Sequence, residues 1–293
     1  MTLTIENEYI RLSVKEEGGS MTSVFDKKRN TEMLYQPKEN SWQGQDIFIF
    51  PFVARLVDGT YTYKGKEYAL KNHGLLRYSK GKGCINKDGD IEISFASDEE
   101  SLKRYPFPFK ATARYHLEKN QVHVFYTMEN TGEEQMPYMV GGHPAFKVPG
   151  KETADGFDFE GTYLTFPKVE KLYRVEQEET FSFNTGISGF GTTQRINLDK
   201  ALFNKINTVI LVAEDFDQVT LHKLDGSTLT MHKEKAPFLA LWSDKKYGDY
   251  VAIEPWYGIP DTLPLKKEIT QKAGINFLSP QSAETVTYWF ELD

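Results

Sequence analysis

Cysteine is nearly absent from this chain of 293 residues, with Cys84 the single example. That excludes an internal disulfide and the multi-cysteine zinc frameworks. One thiol suits a reducing compartment, although a secreted bacterial protein tolerates one equally well. Long apolar runs are also missing, and stretches such as Val209–Ala213 fall far short of the roughly 18 residues a membrane helix needs. The N-terminus, MTLTIENEYIRLSV, has Glu6, Glu8 and Arg11 where a signal peptide needs an apolar segment. These features read as a soluble, cytoplasmic protein without a membrane partner. An excess of positive charge is lacking as well, since 35 Lys+Arg stand against 42 Asp+Glu for a net charge of −7. That balance argues against a basic face for nucleic acid and favours neutral small ligands.

Helical patterning is sparse. Ser97–Glu100 offers N-cap chemistry and an acidic first turn, but Pro106 stops the segment after about two turns, and Pro264–Ala273 suggests one short helix ending at Gly274. What is abundant is apolar and aromatic material, 39% and 14% of the chain, punctuated at strand spacing. Tyr9–Val14 and Ile91–Phe95 alternate with period two. Ala111–Leu117 and Val122–Met128 form a hairpin across Glu118–Gln121, and Val219–Leu224 and Thr228–His232 another across Asp225-Gly226, which suits a type I′ turn. Lys64-Gly65 between Tyr61–Tyr63 and Tyr68–Leu70 is a weaker hairpin signal, and Gly186–Thr193 reads as a loop. Without helices of 10–15 residues between the strands, a parallel βαβ sheet is excluded. The expectation is an all-β protein, a large antiparallel β-sandwich with few short helices, built as a single domain over 1–293 because no linker or repeat divides it.

Six histidines are present. His116, His123, His222 and His232 lie on predicted strands and read as surface or cross-strand polar residues. His73 precedes a glycine in Asn72-His73-Gly74, and His143 lies between two glycines and a proline in Gly141-Gly142-His143-Pro144. A histidine held so stiffly is either a site residue or a buried group packing a loop onto the core. Glu254, in Val251-Ala252-Ile253-Glu254-Pro255-Trp256, follows three apolar residues where a strand leaves the core. Burial there would raise its pKa into the range of a general base; the alternative is a strand end pointing to water. Pro237–Trp242 brings an aromatic strand to the same region, where Trp242 offers a ring face to a sugar or simply packs the core. The separations among His73, His143 and Glu254 match no compact metal spacing, and the sequence has no Gly-x-Ser-x-Gly elbow, phosphate loop or dinucleotide fingerprint.

In order, His73-Gly74, Tyr105-Pro106, Glu129-Asn130-Thr131, Gly142-His143-Pro144-Ala145-Phe146 and Ile253-Glu254-Pro255-Trp256 resemble the aldose 1-epimerase (galactose mutarotase) family, most closely its bacterial LacX-type members. The resemblance implies the galactose mutarotase-like supersandwich. It also implies interconversion of the α and β anomers of a hexose or hexose phosphate, with no cofactor and no metal. It assigns Glu254 as base, His143 as acid and His73 as an orienting donor. Arg55, in Ala54-Arg55-Leu56, resembles the family's sugar-binding arginine, and Arg77 is a further helper. Two departures stand out. Pro255-Trp256 replaces the family's Thr-Gln after the base, and Asp199 in Ile196–Phe203 lacks the histidine that follows the family's sugar-binding aspartate. These motivate an alternative, a non-catalytic carbohydrate-binding or sensor protein on the same fold. The partner is therefore a small-molecule sugar, and the chain is a monomer or homodimer.

Overall fold

The computed structural model describes residues 1–148, 151–153, 156–159, 161–167, 169–177, 184–190, 194–199, 202–203, 208–244 and 248–293. Two large sheets dominate. A nine-stranded sheet runs, edge to edge, through Arg195–Asn197, Tyr163–Thr165, Gln218–His222, Thr228–His232, Ala283–Leu292, Gln121–Asn130, Phe109–Glu118, Ile91–Ala96 and Lys82–Ile85. An eight-stranded sheet runs through Asn184–Gly189, Tyr173–Gln177, Thr208–Val212, Phe238–Trp242, Tyr250–Tyr257, Val140–Gly142 and Phe48–Ile49, with Ala145–Lys147 also paired to Tyr250–Tyr257. A four-stranded sheet at the N-terminus comprises Thr2–Glu6, Ile10–Lys15, Met21–Asp26 and Thr31–Glu32. The ladders of these sheets are antiparallel, as expected of strands joined by short turns.

The sequence pattern explains which faces meet. Along Gln121–Asn130 buried and half-exposed residues alternate strictly, so one face packs and the other meets water. Aromatic side chains close the space between the large sheets: Phe48 stacks on Tyr126 with centroids 4.0 Å apart, and Phe146 meets Phe290 edge-on at 5.0 Å. The Tyr250–Tyr257 strand differs, because only Tyr257 is not fully buried. Its core face carries Val251 and Ile253, whereas Tyr250 and Ala252 belong to a separate apolar cluster with Tyr35 and Ala145. Tyr35 and Trp42 pack on that second face, where the candidate site lies.

Local structure departs from expectation where long-range bonds compete. Pro264–Ala273 contains only the 3₁₀ turn Ile269–Gln271. The Lys267 carbonyl accepts from the Thr62 N–H at 2.7 Å, which holds the preceding backbone extended beside the Thr60–Tyr63 strand. The first helix is a single turn, Glu99–Leu102, with Asp98 as N-cap and a reciprocal Asp98–Ser101 capping box. Asp225-Gly226 does not form a type I′ turn. Only Gly226 has positive φ, the strands end at His222 and resume at Thr228, and a Gly226 N–H to Lys223 O bond of 3.1 Å closes a longer loop. The I′ geometry occurs instead at Lys64-Gly65, with φ of 50° and 78°. Within the expected Gly186–Thr193 loop, the strand Asn184–Gly189 pairs with Tyr173–Gln177, and 191–193 lie outside the described residues. Among the described residues no helix is long and apolar enough to cross a membrane.

Lys272 and Asp261 form a buried ion pair, and Asp261 also accepts from the Val57 N–H at 3.0 Å. Removing one partner leaves an uncompensated buried charge. Lys272→Met is expected to lower unfolding free energy by about 3–5 kcal/mol, and Asp261→Asn combined with Lys272→Met to recover most of it. Urea titration of the three proteins reads this directly, and equal losses in single and double variants would show that the charge itself is unimportant.

Candidate active site

Strand register brings the two central residues together. On one neighbour of Tyr250–Tyr257, Gly141 lies opposite Trp256 and Ala145 opposite Ala252, which brackets His143 directly across from Glu254. Directly opposed residues of an antiparallel pair have Cβ atoms about 5 Å apart. Accordingly His143 Nε2 lies 3.3 Å from Glu254 Oε2, with both residues buried. Gly142, whose Cβ would point to the opposite face, lets this strand approach the nine-stranded sheet: a Cβ there would lie 2.6–2.7 Å from the ring and hydroxyl of Tyr288. On the other side of Glu254 the opposing residue is Ala240, which adds only a methyl group.

Period-two alternation also places Trp256 on the same face as Glu254. Its Nε1–H donates to Glu254 Oε2 at 3.1 Å. The Trp256 that departs from the family pattern thus supplies an orienting hydrogen bond to Glu254.

His73 reaches the same place from a turn. It and Gly74 both take positive φ, 60° and 78°, and a Cβ at Gly74 would lie 2.3 Å from the Phe50 carbonyl oxygen, so only glycine fits. The His73 N–H donates to the Ala54 carbonyl at 2.8 Å, and the Ala54 N–H donates back to His73 Nδ1 at 3.2 Å. Because Nδ1 accepts, the neutral ring carries its proton on Nε2 and is a hydrogen-bond donor there. Burial, then the neighbouring His143, Arg77 and Arg55, hold the His73 pKa well below 6.5, so the ring is neutral near pH 7. The rings of His73 and His143 meet edge-to-face with centroids 5.3 Å apart.

Of the other expected residues, Arg77 sits half-buried on the 3₁₀ turn Leu76–Tyr78, and its charge acts on Glu254 and both histidines. Trp242 lies against His143 at 5.5 Å. Arg55 is exposed at the margin, beside the Ala54–His73 clasp. Asp199 is exposed and elsewhere, next to the edge strand Arg195–Asn197, where it caps a turn by accepting from the Leu202 N–H. The remaining histidines are cross-strand residues: His116 bonds Asp90 at 2.6 Å, His222 stacks on Tyr163, and His123 and His232 flank Trp289. Among the described residues no group of three or more His, Cys, Asp or Glu is arranged to hold a metal ion.

Two residues at the site escaped the sequence reading. Trp42, on the irregular segment before Phe48–Ile49, packs on His143 at 5.2 Å and edge-on to Trp242 at 5.2 Å, making an aromatic corner over the imidazole. Asp46 is buried and accepts the His143 N–H at 3.4 Å. Asp46 precedes the apolar run Ile47–Phe50, whereas Glu254 follows one and is followed by proline, so Asp46 carries no comparable local signal.

Burial dominates the charge state. It pushes the Glu254 carboxyl well above 4.5, reinforced by Asp46 and opposed by Trp256 and Arg77. Burial, with a smaller effect of Arg77, brings the His143 imidazole down to about 3. Burial therefore favours the neutral forms of both, with one ionisable proton held by the pair.

Comparison with known proteins bears on the family and the fold. The family model described as aldose 1-epimerase matches residues 1–275. The plasmid-encoded protein LacX of Lactococcus lactis subsp. lactis is 25% identical over 98% of both chains. A galactose mutarotase-related enzyme from Lactobacillus acidophilus superposes with a TM-score of 0.90 at 28% identity, covering 100% of this chain and 97% of that one. A galactose mutarotase-like protein from Lactobacillus casei gives 0.92 at 25% identity, covering 100% of both.

The charge state has a consequence for stability. A raised carboxyl pKa means that the folded state binds this proton more tightly than the unfolded chain. The group's contribution is complete below about pH 4.5 and is lost as pH rises toward the folded value. The His143 contribution is complete above 6.5 and is lost as pH falls toward about 3. Glu254→Gln removes the first dependence. Its unfolding free energy is expected to gain on the parent's as pH rises above about 4.5, by up to about 1.4 kcal/mol per pH unit. A gap that does not change with pH would mean that Glu254 ionises as freely folded as unfolded.

Proposed function

The chain belongs to the aldose 1-epimerase family and has the galactose mutarotase-like fold, and from that premise we propose that it interconverts the α and β anomers of a hexose, free or phosphorylated. The observation that carries this reading is the buried 3.3 Å contact between His143 and Glu254. Opening a cyclic hemiacetal takes a proton from the C1 hydroxyl and delivers one to the ring oxygen, so it needs a base and an acid on one substrate.

The pair already holds the required single proton. Neutral carboxyl plus neutral imidazole contains the same number of protons as carboxylate plus imidazolium, and transfer across the contact interconverts them. In the second form Glu254 takes the C1 hydroxyl proton while His143 donates to the ring oxygen. The bond from C1 to the ring oxygen breaks, C1 becomes an aldehyde, and the former ring oxygen becomes a hydroxyl. Rotation about C1–C2 presents the other face, and closure returns both protons with the roles reversed.

The surrounding groups have complementary tasks in this reading. His73 donates from Nε2 to a sugar oxygen, and Arg77 and Arg55 bind hydroxyls or a phosphate. The corner formed by Trp242 and Trp42 covers the apolar face of the ring and keeps water from the open-chain aldehyde. Trp256 holds the Glu254 carboxylate in orientation through its indole N–H.

Anomer-exchange NMR at equilibrium on galactose, glucose, their 6-phosphates and tagatose 6-phosphate tests the reading and identifies the substrate. The protein is expected to accelerate exchange of at least one sugar. Glu254→Gln and His143→Gln should each lower that rate by about 10²–10⁴-fold. The double variant should be little worse than either, because the two act as a unit. Saturable binding without exchange would instead establish a sugar-binding protein on this fold, and parent-like exchange by Glu254→Gln would remove the acid–base assignment.

A further inference from the structure

We propose that Asp46, outside the acid–base pair, is the positioning residue that fixes His143 against Glu254 and supplies the negative charge behind it. This rests on the epimerase reading of the site. The geometry is specific. In the sheet, Gly141 pairs with Ile49 and Gly142 with Phe48, and beyond them the Ala145 N–H donates to the Gln45 carbonyl at 2.8 Å. The His143 N–H falls between these ladder bonds and is taken by Asp46 Oδ1 at 3.4 Å. Asp46 Oδ2 accepts from the Met21 N–H at 3.2 Å, and the neighbouring Ile47 N–H also stabilises the carboxylate. One side chain thus ties the acid's main chain to the N-terminal sheet and to the Phe48–Ile49 strand.

A purely structural acceptor would not need to be an acid. Asp46 is 2% exposed and, among the described residues, has no cationic side chain within ion-pair distance. An unpaired buried carboxylate is costly, so its charge calls for a role. The titratable groups around it are Glu254, His143, the more distant Lys15, and the hydroxyls of Tyr115, Tyr126 and Tyr288. Tyr126 and Tyr288 bond each other at 3.2 Å, and Tyr115 donates to the Gly19 carbonyl, so these phenols are engaged elsewhere. Burial raises the Asp46 pKa to about 6 against the opposing effect of the Met21, Ile47 and His143 N–H groups, leaving it ionised near pH 7. Its charge increases the proton affinity of Glu254, the group that lies against the His143 ring.

Asp46→Asn keeps the shape, removes the charge and presents an NH₂ group to one of the backbone donors. For whichever sugar the parent turns over, kcat is expected to fall about 10- to 100-fold, as for a small misplacement of a reacting group. KM should stay within about threefold. Both limbs of the kcat/KM pH profile should move to lower pH, because the pair binds its protons less tightly. Parent-like kcat with an unshifted profile would overturn the proposal. A second measurement needs neither turnover nor the variant to fold. In sugar-free parent protein, ¹⁵N NMR of the His143 imidazole should report a step at the pH where the ¹³C signal of the Asp46 carboxyl titrates, near 6. Imidazole signals that pass unchanged through that titration would overturn it. A parent that exchanges no sugar defeats the epimerase reading, while this titration still decides the link between Asp46 and His143.

Discussion

The site depends on strand register. His143 and Glu254 lie 111 positions apart in sequence, and they meet because two short strands on either side of His143 pair with one continuous strand in a single register. A slip of one residue would turn Glu254 to the opposite face, where Val251 and Ile253 pack, and a carboxyl would then enter the apolar core. Register and chemistry are therefore specified together. The same apolar packing that fixes the register also desolvates the pair, and desolvation is the largest influence on the proton affinity of each member.

The other site residues come from loops, and each loop is tied where it matters. The Ala54–His73 clasp sets the tautomer of His73 and anchors the segment that carries Arg55. From the other side, Asp261 holds Val57, two residues beyond Arg55, and is itself held by Lys272. Trp42 arrives on an irregular segment whose Lys38 makes a 2.8 Å ion pair with Asp249. The sheet thus carries the buried His143–Glu254 pair, while tethered loops carry the arginines and Trp42 around it. That division fits a scaffold on which sugar preference changes by loop variation around constant chemistry.

The antiparallel class was legible because it follows from local facts: period-two alternation, hairpin spacing and the scarcity of helical segments. His73, His143 and Glu254 were legible because each carries a local signature, a glycine or proline constraint or a carboxylate after an apolar run. What long-range bonding decides was not. Lys267 gives its carbonyl to Thr62, and the expected helix over Pro264–Ala273 shrinks to one turn. Asp225 spends its carboxylate on Ser227, and the expected turn type moves to Lys64-Gly65. Asp46 and Trp42 stayed hidden because their importance lies in a partner, His143, about a hundred residues away.

Pro255-Trp256 shows how a departure from a family pattern should be weighed physically. Read as letters, the change removes two polar residues beside the base and suggests lost function. In the structure, Trp256 lies two residues along the strand on the same face as Glu254, and its indole N–H reaches the carboxyl oxygen that faces His143. A side-chain amide two positions after the base would have a donor on that same face. Indole, unlike an amide, donates without accepting, so it stabilises the ionised carboxyl without offering a site for its proton. Its bulk also desolvates the carboxyl, which opposes ionisation. The substitution therefore shifts the balance between two effects on the ionisation of one carboxyl and leaves its contact with His143 in place.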